Sequence, residues 1–245
     1  MIVLITGATD GLGRALAKVL DADGHTVLVH GRSEQRIADT VAELSDRTRA
    51  YRADLSSLAE VQRLADELLE HEAHLDVLVN NAGIGTAGGR QESADGYELV
   101  FAVNYLAGYA LTRRLLDRVD RVVNVASAGQ APIDFDDVML ERSWSGVQAY
   151  CQSKLAQIMF TFDLADEGVT AVALHPATYM PTKMVASPIS TLEEGVEATE
   201  RLVTASAEEI TGRYFNGLRE ARADRQAYDL DARRALRELS DRLTA

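Results

Sequence analysis

The sequence predicts a single α/β domain: a doubly wound parallel sheet with helices on both faces. Three observations predict it. Short β-branched runs alternate with helical periods along most of the 245 residues. Most of those runs are near-continuous in Val, Leu, Ile or Ala, which suits parallel strands covered on both faces. No Pro/Gly/Ser-rich linker, internal repeat or low-complexity segment divides the chain. A β-α-β-α order with right-handed crossovers then puts helices on both sides of one sheet.

In chain order, the predicted strands are Ile2–Thr6, Thr26–His30, Thr48–Arg52, Leu75–Asn80, Arg121–Ala126 and Val169–His175. Between them, helical periodicity covers Gly11–Ala22, Glu34–Asp46, Leu58–Glu72, Tyr97–Asp117 and Gln148–Ala165. Two segments break the alternation. Ala131–Gly146 is a polar, acidic loop, and Pro176–Glu194 holds three of the four prolines. Long loops at the carboxyl ends of strands are where such sheets bind ligands, so residues 177–205 are expected to form a substrate loop or lid. Leu230–Leu243, within a C-terminal segment 225–245, is an Arg/Glu-rich helix with a stripe of Leu236, Leu239 and Leu243. Docking by that stripe is expected, with an interface or lid role as the alternative.

Composition narrows the partners. The net charge of −13 disfavours nucleic acid or an anionic membrane as the main partner. It does not exclude an anionic ligand held locally by backbone N–H groups and an arginine. A single cysteine, Cys151, excludes an intramolecular disulfide and fits a reducing compartment. The N-terminus MIVLITGATDG starts a strand at once, without a basic, apolar leader. No run approaches the ~18 apolar residues of a membrane span. A cytoplasmic protein is expected.

The first strand runs into TGATDGLG, with Thr6, Gly7, Asp10, Gly11, Leu12 and Gly13 at the entry to a helix. Such a turn lets backbone N–H groups approach a pyrophosphate, and the helix N-terminus adds partial positive charge. Its position after the first strand of an alternating chain points to a dinucleotide. The second strand ends VLVHGRS, with no carboxylate at His30 or Gly31 and with Arg32 close by. A carboxylate there would take the ribose hydroxyl of NAD, whereas a guanidinium suits the 2′-phosphate of NADP. NADP is therefore favoured and NAD remains possible; the negative charge of Asp10 in the turn pulls the other way. Asp54, followed by Leu55, could meet the adenine amino group or cap the helix starting near Leu58, although Ser56 and Ser57 lie closer to it.

In AYCQSK, Tyr150 precedes Lys154 by four residues, one helical turn. With 8 tyrosines and only three lysines in 245 residues, chance gives roughly 0.1 such pairs. Together with the glycine turn, NNAG at Asn80–Gly83, Asn104 in VNYLAG and Ser127 closing VVNVAS, the chain resembles the short-chain dehydrogenase/reductase family over Ile2 to about Phe215. The acidic loop before WSGVQAYCQSKLAQ loosely resembles its retinol-dehydrogenase-like members.

That resemblance implies a Rossmann fold and an oxidoreductase moving hydride between NADP(H) and a carbonyl or secondary alcohol. It implies Asn104, Ser127, Tyr150 and Lys154 as the catalytic set, with Tyr150 as general acid/base. Lys154 is expected to lower the Tyr150 pKa and to bond the nicotinamide ribose, Ser127 to hold the carbonyl oxygen, and Asn104 to support a water chain. Asn81, Ala82 and Gly83 join the cofactor set, with Asn80 and Asn81 holding backbone between strands. Pro176, Thr178 and Thr182 join it from HPATYMPTKM, where Ala177 stands in place of the family's frequent glycine. Cys151 is expected to be inert packing off the catalytic face, and His175 structural. Trp144, Tyr179, Met180 and Met184 are candidates for a hydrophobic substrate pocket, or loop anchors. No metal is expected. Apolar excess on Tyr97–Asp117 and Gln148–Ala165 suggests a homodimer or homotetramer. A non-catalytic NADP-binding sensor on the same fold is the main alternative. A sugar-nucleotide epimerase or dehydratase is a third reading, weakened by a C-terminal region of only about 70 residues.

Overall fold

A computed structural model describes residues 1–85, 88–181 and 187–245. The elements run β1 (Ile2–Ile5), α1 (Gly11–Ala22), β2 (Thr26–Gly31), α2 (Glu34–Val41), β3 (Arg49–Arg52), α3 (Leu58–His71) and β4 (Leu75–Asn80). Then follow α4 (Leu99–Phe101), a π turn (Ala102–Leu106), α5 (Ala107–Leu115), β5 (Val119–Val125), α6 (Gly146–Asp166) and β6 (Thr170–His175). The chain ends with α7 (Leu192–Thr204), α8 (Ala207–Ile210), β7 (Arg213–Asn216), β8 (Arg219–Ala221) and α9 (Leu230–Thr244).

The strands form one sheet in the order β3-β2-β1-β4-β5-β6-β7-β8, parallel except for the β7–β8 pair. The order reverses between β1 and β4, opening a crevice at the carboxyl ends of those strands. Alternation along each strand builds two cores. Val3, Ile5, Val27, Val29, Val77 and Val79 face one side with Leu16 and Leu20 of α1 and Leu202 of α7. Leu4, Leu28, Leu78 and Val122 face the other with Leu64, Tyr105, Leu155 and Phe160. Burial on both faces explains why these strands lack polar alternation.

Three differences from the sequence-based expectation have physical causes. The Tyr97–Asp117 helix is not continuous: a π turn at Ala102–Leu106 interrupts it and carries Asn104. The 177–205 segment divides, because a capping box of Thr191 and Glu194 starts α7, whose Val196, Ala198, Leu202 and Val203 are buried core. Beyond it, β7 and β8 add a hairpin through the two-residue turn Gly217–Leu218, where Gly217 takes φ +57°.

The C-terminal helix docks as its leucine stripe suggests. Leu236 is buried in the core, with Leu239 and Leu243 packed against it. Polar contacts fix the register. The Arg233 guanidinium donates to Asp163 of α6 at 2.7 Å and also meets Asp166. Tyr105 OH meets Ser240 Oγ at 2.7 Å, and Tyr109 OH donates to Asp241 at 2.5 Å. Apolar surface on α5 and α6 is thus covered within the chain, so its excess carries no argument for a partner subunit. No helix among the described residues is long and apolar enough to cross a membrane.

Candidate active site

The glycine turn leaves β1 and enters α1 through a cramped space. A Cβ at Gly13 would stand 2.4 Å from both Asn81 Nδ2 and the Gly7 carbonyl oxygen, so only glycine fits there. The turn is braced from β4. The Thr6 hydroxyl donates to Val79 O at 3.3 Å and accepts from the Asn81 and Ala82 N–H groups, each at 3.0 Å. Asn81 Nδ2 donates to the carbonyls of Thr6 at 2.8 Å and Gly7 at 3.3 Å. Thr6 and the Asn81 side chain therefore shape the turn through its backbone.

A second brace comes from β2, and sequence reasoning missed it. His30 is 2% exposed. Its Nδ1 accepts from Gly7 N at 3.2 Å, and Nε2 lies 3.2 Å from Ala53 O. These partners assign the tautomer: Nδ1 bare, Nε2 protonated. Burial pulls the ring's pKa down to about 4, against the opposing pull of Ala53 O and Asp54. The signal in the sequence was a histidine ending an apolar strand run, VLVH, since a buried polar ring demands partners.

Where the adenosine end of a dinucleotide would lie, Asp54 accepts from Ser56 N at 2.9 Å and Ser56 Oγ at 2.8 Å. Burial pushes its carboxyl up, but the Ser56 bonds and the Arg32 charge outweigh it and leave the pKa lowered. Ser57, not Asp54, caps α3. Leu55 is buried beside it, and Arg32 is exposed after β2. The Asp10 carboxylate caps α1 through Gly11 N at 2.9 Å and faces Arg36 at 3.7 Å, so its negative charge is opposed locally.

At the other end of the crevice the four catalytic candidates converge. Ser127 lies two residues beyond β5, its Oγ accepting from Gly129 N at 3.0 Å. Tyr150 and Lys154 lie one turn apart on α6, with Lys154 Nζ 5.7 Å from the Tyr150 ring centre. Lys154 Nζ donates to Val125 O and Gln157 Oε1, both at 2.9 Å. Asn104 bonds both backbone groups of Ile84, accepting at 2.8 Å and donating at 3.2 Å, and reaches Ser153 Oγ at 3.1 Å. A Cβ on Gly83 would lie 3.4 Å from Asn104 Oδ1 and 3.5 Å from Lys154 Nζ, which ties the NNAG turn to the same spot.

The electrostatics differ from the expected lowering of Tyr150 by Lys154. Burial raises the phenol above its ordinary pKa, and only the Ser127 hydroxyl pulls it back. Lys154 is itself brought down to about 7 by burial, so near neutrality it holds its charge only part of the time. In the protein's own field, Tyr150 stays a protonated phenol.

Other expected positions sort as follows. Asn80 holds side chains rather than backbone: Thr112 Oγ1 at 3.0 Å and Asn124 Oδ1 at 2.9 Å. Cys151 does not turn away from the site; a Cβ on Gly129 would sit 3.4 Å from its sulfur and 3.6 Å from Ser127 Oγ. Burial raises its thiol pKa, keeping it protonated. Trp144, Tyr150 and Ile84 all pack on the buried cluster of Val100, Leu140 and Ala149, and Trp144 Nε1 donates to the buried Glu98 at 3.3 Å. Met180 instead joins Leu12 against Gly195 on the opposite core. Tyr179 is exposed with φ +49°. His175 Nε2 meets Thr178 Oγ1 at 2.9 Å, and Pro176 and Thr178 line an open cleft of ≈ 360 Å³ that none of the four catalytic candidates lines. Thr182 and Met184 lie outside the described residues. The only His/Asp/Glu cluster of metal-ligating spacing among the described residues, His74, Asp76 and Asp120, is remote from the crevice, at the amino ends of β4 and β5.

The chain is similar to several known proteins. The family model described as short chain dehydrogenase matches residues 1–192. Retinol dehydrogenase 13 of Mus musculus is 32% identical over 277 residues, covering 98% of this chain and 83% of that protein. A Streptomyces protein named as a candidate daunorubicin C-13 ketoreductase is 35% identical over 240 residues, covering 89% of this chain and 83% of that one. The crystal structure of an uncharacterized protein from Mycobacterium paratuberculosis superposes with a TM-score of 0.84 at 30% identity, covering 99% of this chain and 92% of that chain. The chain belongs to the short chain dehydrogenase family, and its fold is that family's Rossmann fold.

Proposed function

We propose that the chain is an NADP(H)-dependent oxidoreductase acting on a carbonyl and secondary-alcohol pair, with Tyr150 as general acid/base. The observation that carries this reading is a chain of neighbours beside the crevice where the strand order reverses: Asn104 and Lys154 meet at Gly83, Tyr150 lies one helical turn from Lys154, and the Ser127 hydroxyl bonds the Tyr150 phenol. A dinucleotide fits the residues present. The turn at Gly7–Gly13 offers backbone N–H groups and a helix N-terminus, while Gly83 keeps the floor beside Lys154 free of a side chain. Gly11, Leu12 and Gly13 would hold the pyrophosphate on a turn shaped by Thr6 and Gly7, Asp54 and Leu55 the adenine, and Arg32 the 2′-phosphate. Ala82, Gly83, Lys154, Pro176 and Thr178 would hold the nicotinamide end. Preference for NADP rests on Arg32 and on the missing carboxylate at the end of β2.

When bound, the cofactor supplies the hydride. The chain's own residues manage the oxygen and its proton. Ser127 Oγ donates a hydrogen bond to the substrate oxygen and steadies the negative charge that grows there. Tyr150 gives its phenolic proton to that oxygen in reduction and takes it back in oxidation. A phenol kept protonated by burial is in the right state to donate. Lys154, with its charge near balance, restrains the phenolate left behind, while Val125 O and Gln157 fix its ammonium. Asn104 holds Ile84 and the π turn in place beside it. Trp144 and Ile84, partly buried on the same apolar cluster as Tyr150, favour a hydrophobic substrate, in keeping with the names of the two relatives. The intact acid distinguishes this reading from a cofactor-binding sensor, which has no need of one.

A panel of aldehydes, ketones and alcohols, assayed with NADPH or NADP and with NADH or NAD at the nicotinamide absorbance, tests the proposal. Turnover of a hydrophobic carbonyl with NADPH is expected; cofactor binding without turnover across the panel would favour the sensor.

A further inference from the structure

We propose that His30 is a positioning residue for the cofactor, its Nδ1 lone pair fixing the Gly7 peptide and with it the shape of the turn that receives the pyrophosphate, and its Nε2–H locking that turn to the backbone at Ala53. The inference rests on the proposed dinucleotide reading and goes beyond it, because no motif of the glycine turn contains this residue.

The geometry is specific. Gly7 has φ +67°, a conformation that a side chain resists and that glycine adopts as readily as others, so neighbouring bonds select it. Its N–H is taken by His30 Nδ1 at 3.2 Å and its carbonyl by Asn81 Nδ2 at 3.3 Å. The next N–H, of Ala8, donates to the His30 backbone oxygen at 2.9 Å. Both polar groups of Gly7 and one of its neighbour are therefore fixed, two of the three by residue 30. The ring's far edge reaches Ala53 O at 3.2 Å, one residue before Asp54 and Leu55. One imidazole thus spans the pyrophosphate turn and the backbone at the adenine end. An apolar side chain at position 30 would leave the Gly7 N–H facing a buried surface unpaired, and the peptide would be free to rotate toward other acceptors.

Only a neutral imidazole with the assigned tautomer serves both contacts, and each contact has its own mimic. An asparagine oxygen occupies the place of Nδ1, whereas a glutamine nitrogen occupies the place of Nε2. His30→Asn therefore keeps the acceptor for Gly7 and loses Ala53; His30→Gln keeps Ala53 and loses Gly7. NADPH affinity, measured by fluorescence titration alongside the thermal midpoint, separates positioning from general stability. The expected result is NADPH binding weakened about tenfold in His30→Gln but within about threefold of the parent in His30→Asn, with similar falls in midpoint for both. Equal weakening in both, or affinities that simply track the midpoints, would overturn the proposal.

Amide hydrogen exchange at Gly7, measured on the protein without added nucleotide, gives an independent reading: faster in His30→Gln, near the parent rate in His30→Asn. If the parent chain bound neither NADPH nor NADH, the dinucleotide reading would fail while the exchange rates would still decide whether His30 holds the turn. Exchange at Gly7 indifferent to both substitutions would sink the inference by itself.

Discussion

The two ends of the crevice are held by different means. At the end proposed for the cofactor, Thr6, His30 and Asn81 bond the backbone of a glycine turn from neighbouring strands, and Gly13 leaves no room for a further atom. At the end proposed for the substrate, the chain after β6 is tied by Ile189 N to Tyr179 O at 3.1 Å and Ser190 Oγ to Thr178 O at 2.6 Å. There Tyr179 is 61% exposed and Ile189 is 72% exposed. Leu140 and Tyr179 both carry positive φ, a conformation of order 1–3 kcal/mol in cost for a residue with a side chain. A cofactor turn always meets the same pyrophosphate and gains from being wired into the sheet. A substrate wall gains from loops that accept changes without disturbing the sheet.

The largest effect that would break this contrast is at Gly13. Gly13→Ala places a methyl 2.4 Å from a backbone carbonyl, and NADPH binding should weaken by about a hundredfold or more in a fluorescence titration. Next comes Arg32. Arg32→Asp replaces the proposed phosphate partner by a like charge, so NADPH should weaken about a hundredfold and NADH by no more than about threefold. Equal losses would remove the phosphate assignment.

A pH series sharpens the same comparison. His30 has a folded pKa of about 4 against an ordinary value near 6.5, so the unfolded chain takes the proton first. Its contribution is fully present above pH 6.5 and is lost as pH falls toward and through 4, on the order of 3 kcal/mol in all. Urea midpoints should fall with acid over that window, and His30→Asn should flatten the fall. The smallest effect is expected at Tyr179. Tyr179→Gly relieves the left-handed backbone, so stability should change by about 1 kcal/mol or less, while KM for a bulky substrate shifts more than NADPH affinity does.

Much of this was legible because it was repeated or local. Apolar runs marked β1, β2, β4, β5 and β6, the edge strand β3 (RAYR) fitted their alternation, and the helices between them followed from period and order. Tyr150 and Lys154 stood out by their spacing, and Ser127 and Asn104 by the motifs the chain shares with the family. What escaped depends on contacts across the chain. Periodicity cannot register the π turn at Asn104, which adds a single residue to a helical turn. The β7–β8 hairpin is short and polar, although glycine opening a two-residue turn in RYFNGLREA was a usable sign. His30 was noticed only for not being acidic; its two bonds join segments 23 residues away on either side. Met180 pointed to the substrate by its place in the loop, yet the gap over Gly195 draws it to the other core.

The central claim, that Tyr150 delivers the proton while the glycine end holds the cofactor, is tested most directly by Tyr150→Phe. With the best substrate from the panel, turnover should fall by about 10²- to 10⁴-fold, and NADPH affinity should stay within about threefold of the parent. Turnover that survives the loss of the phenol would contradict the account.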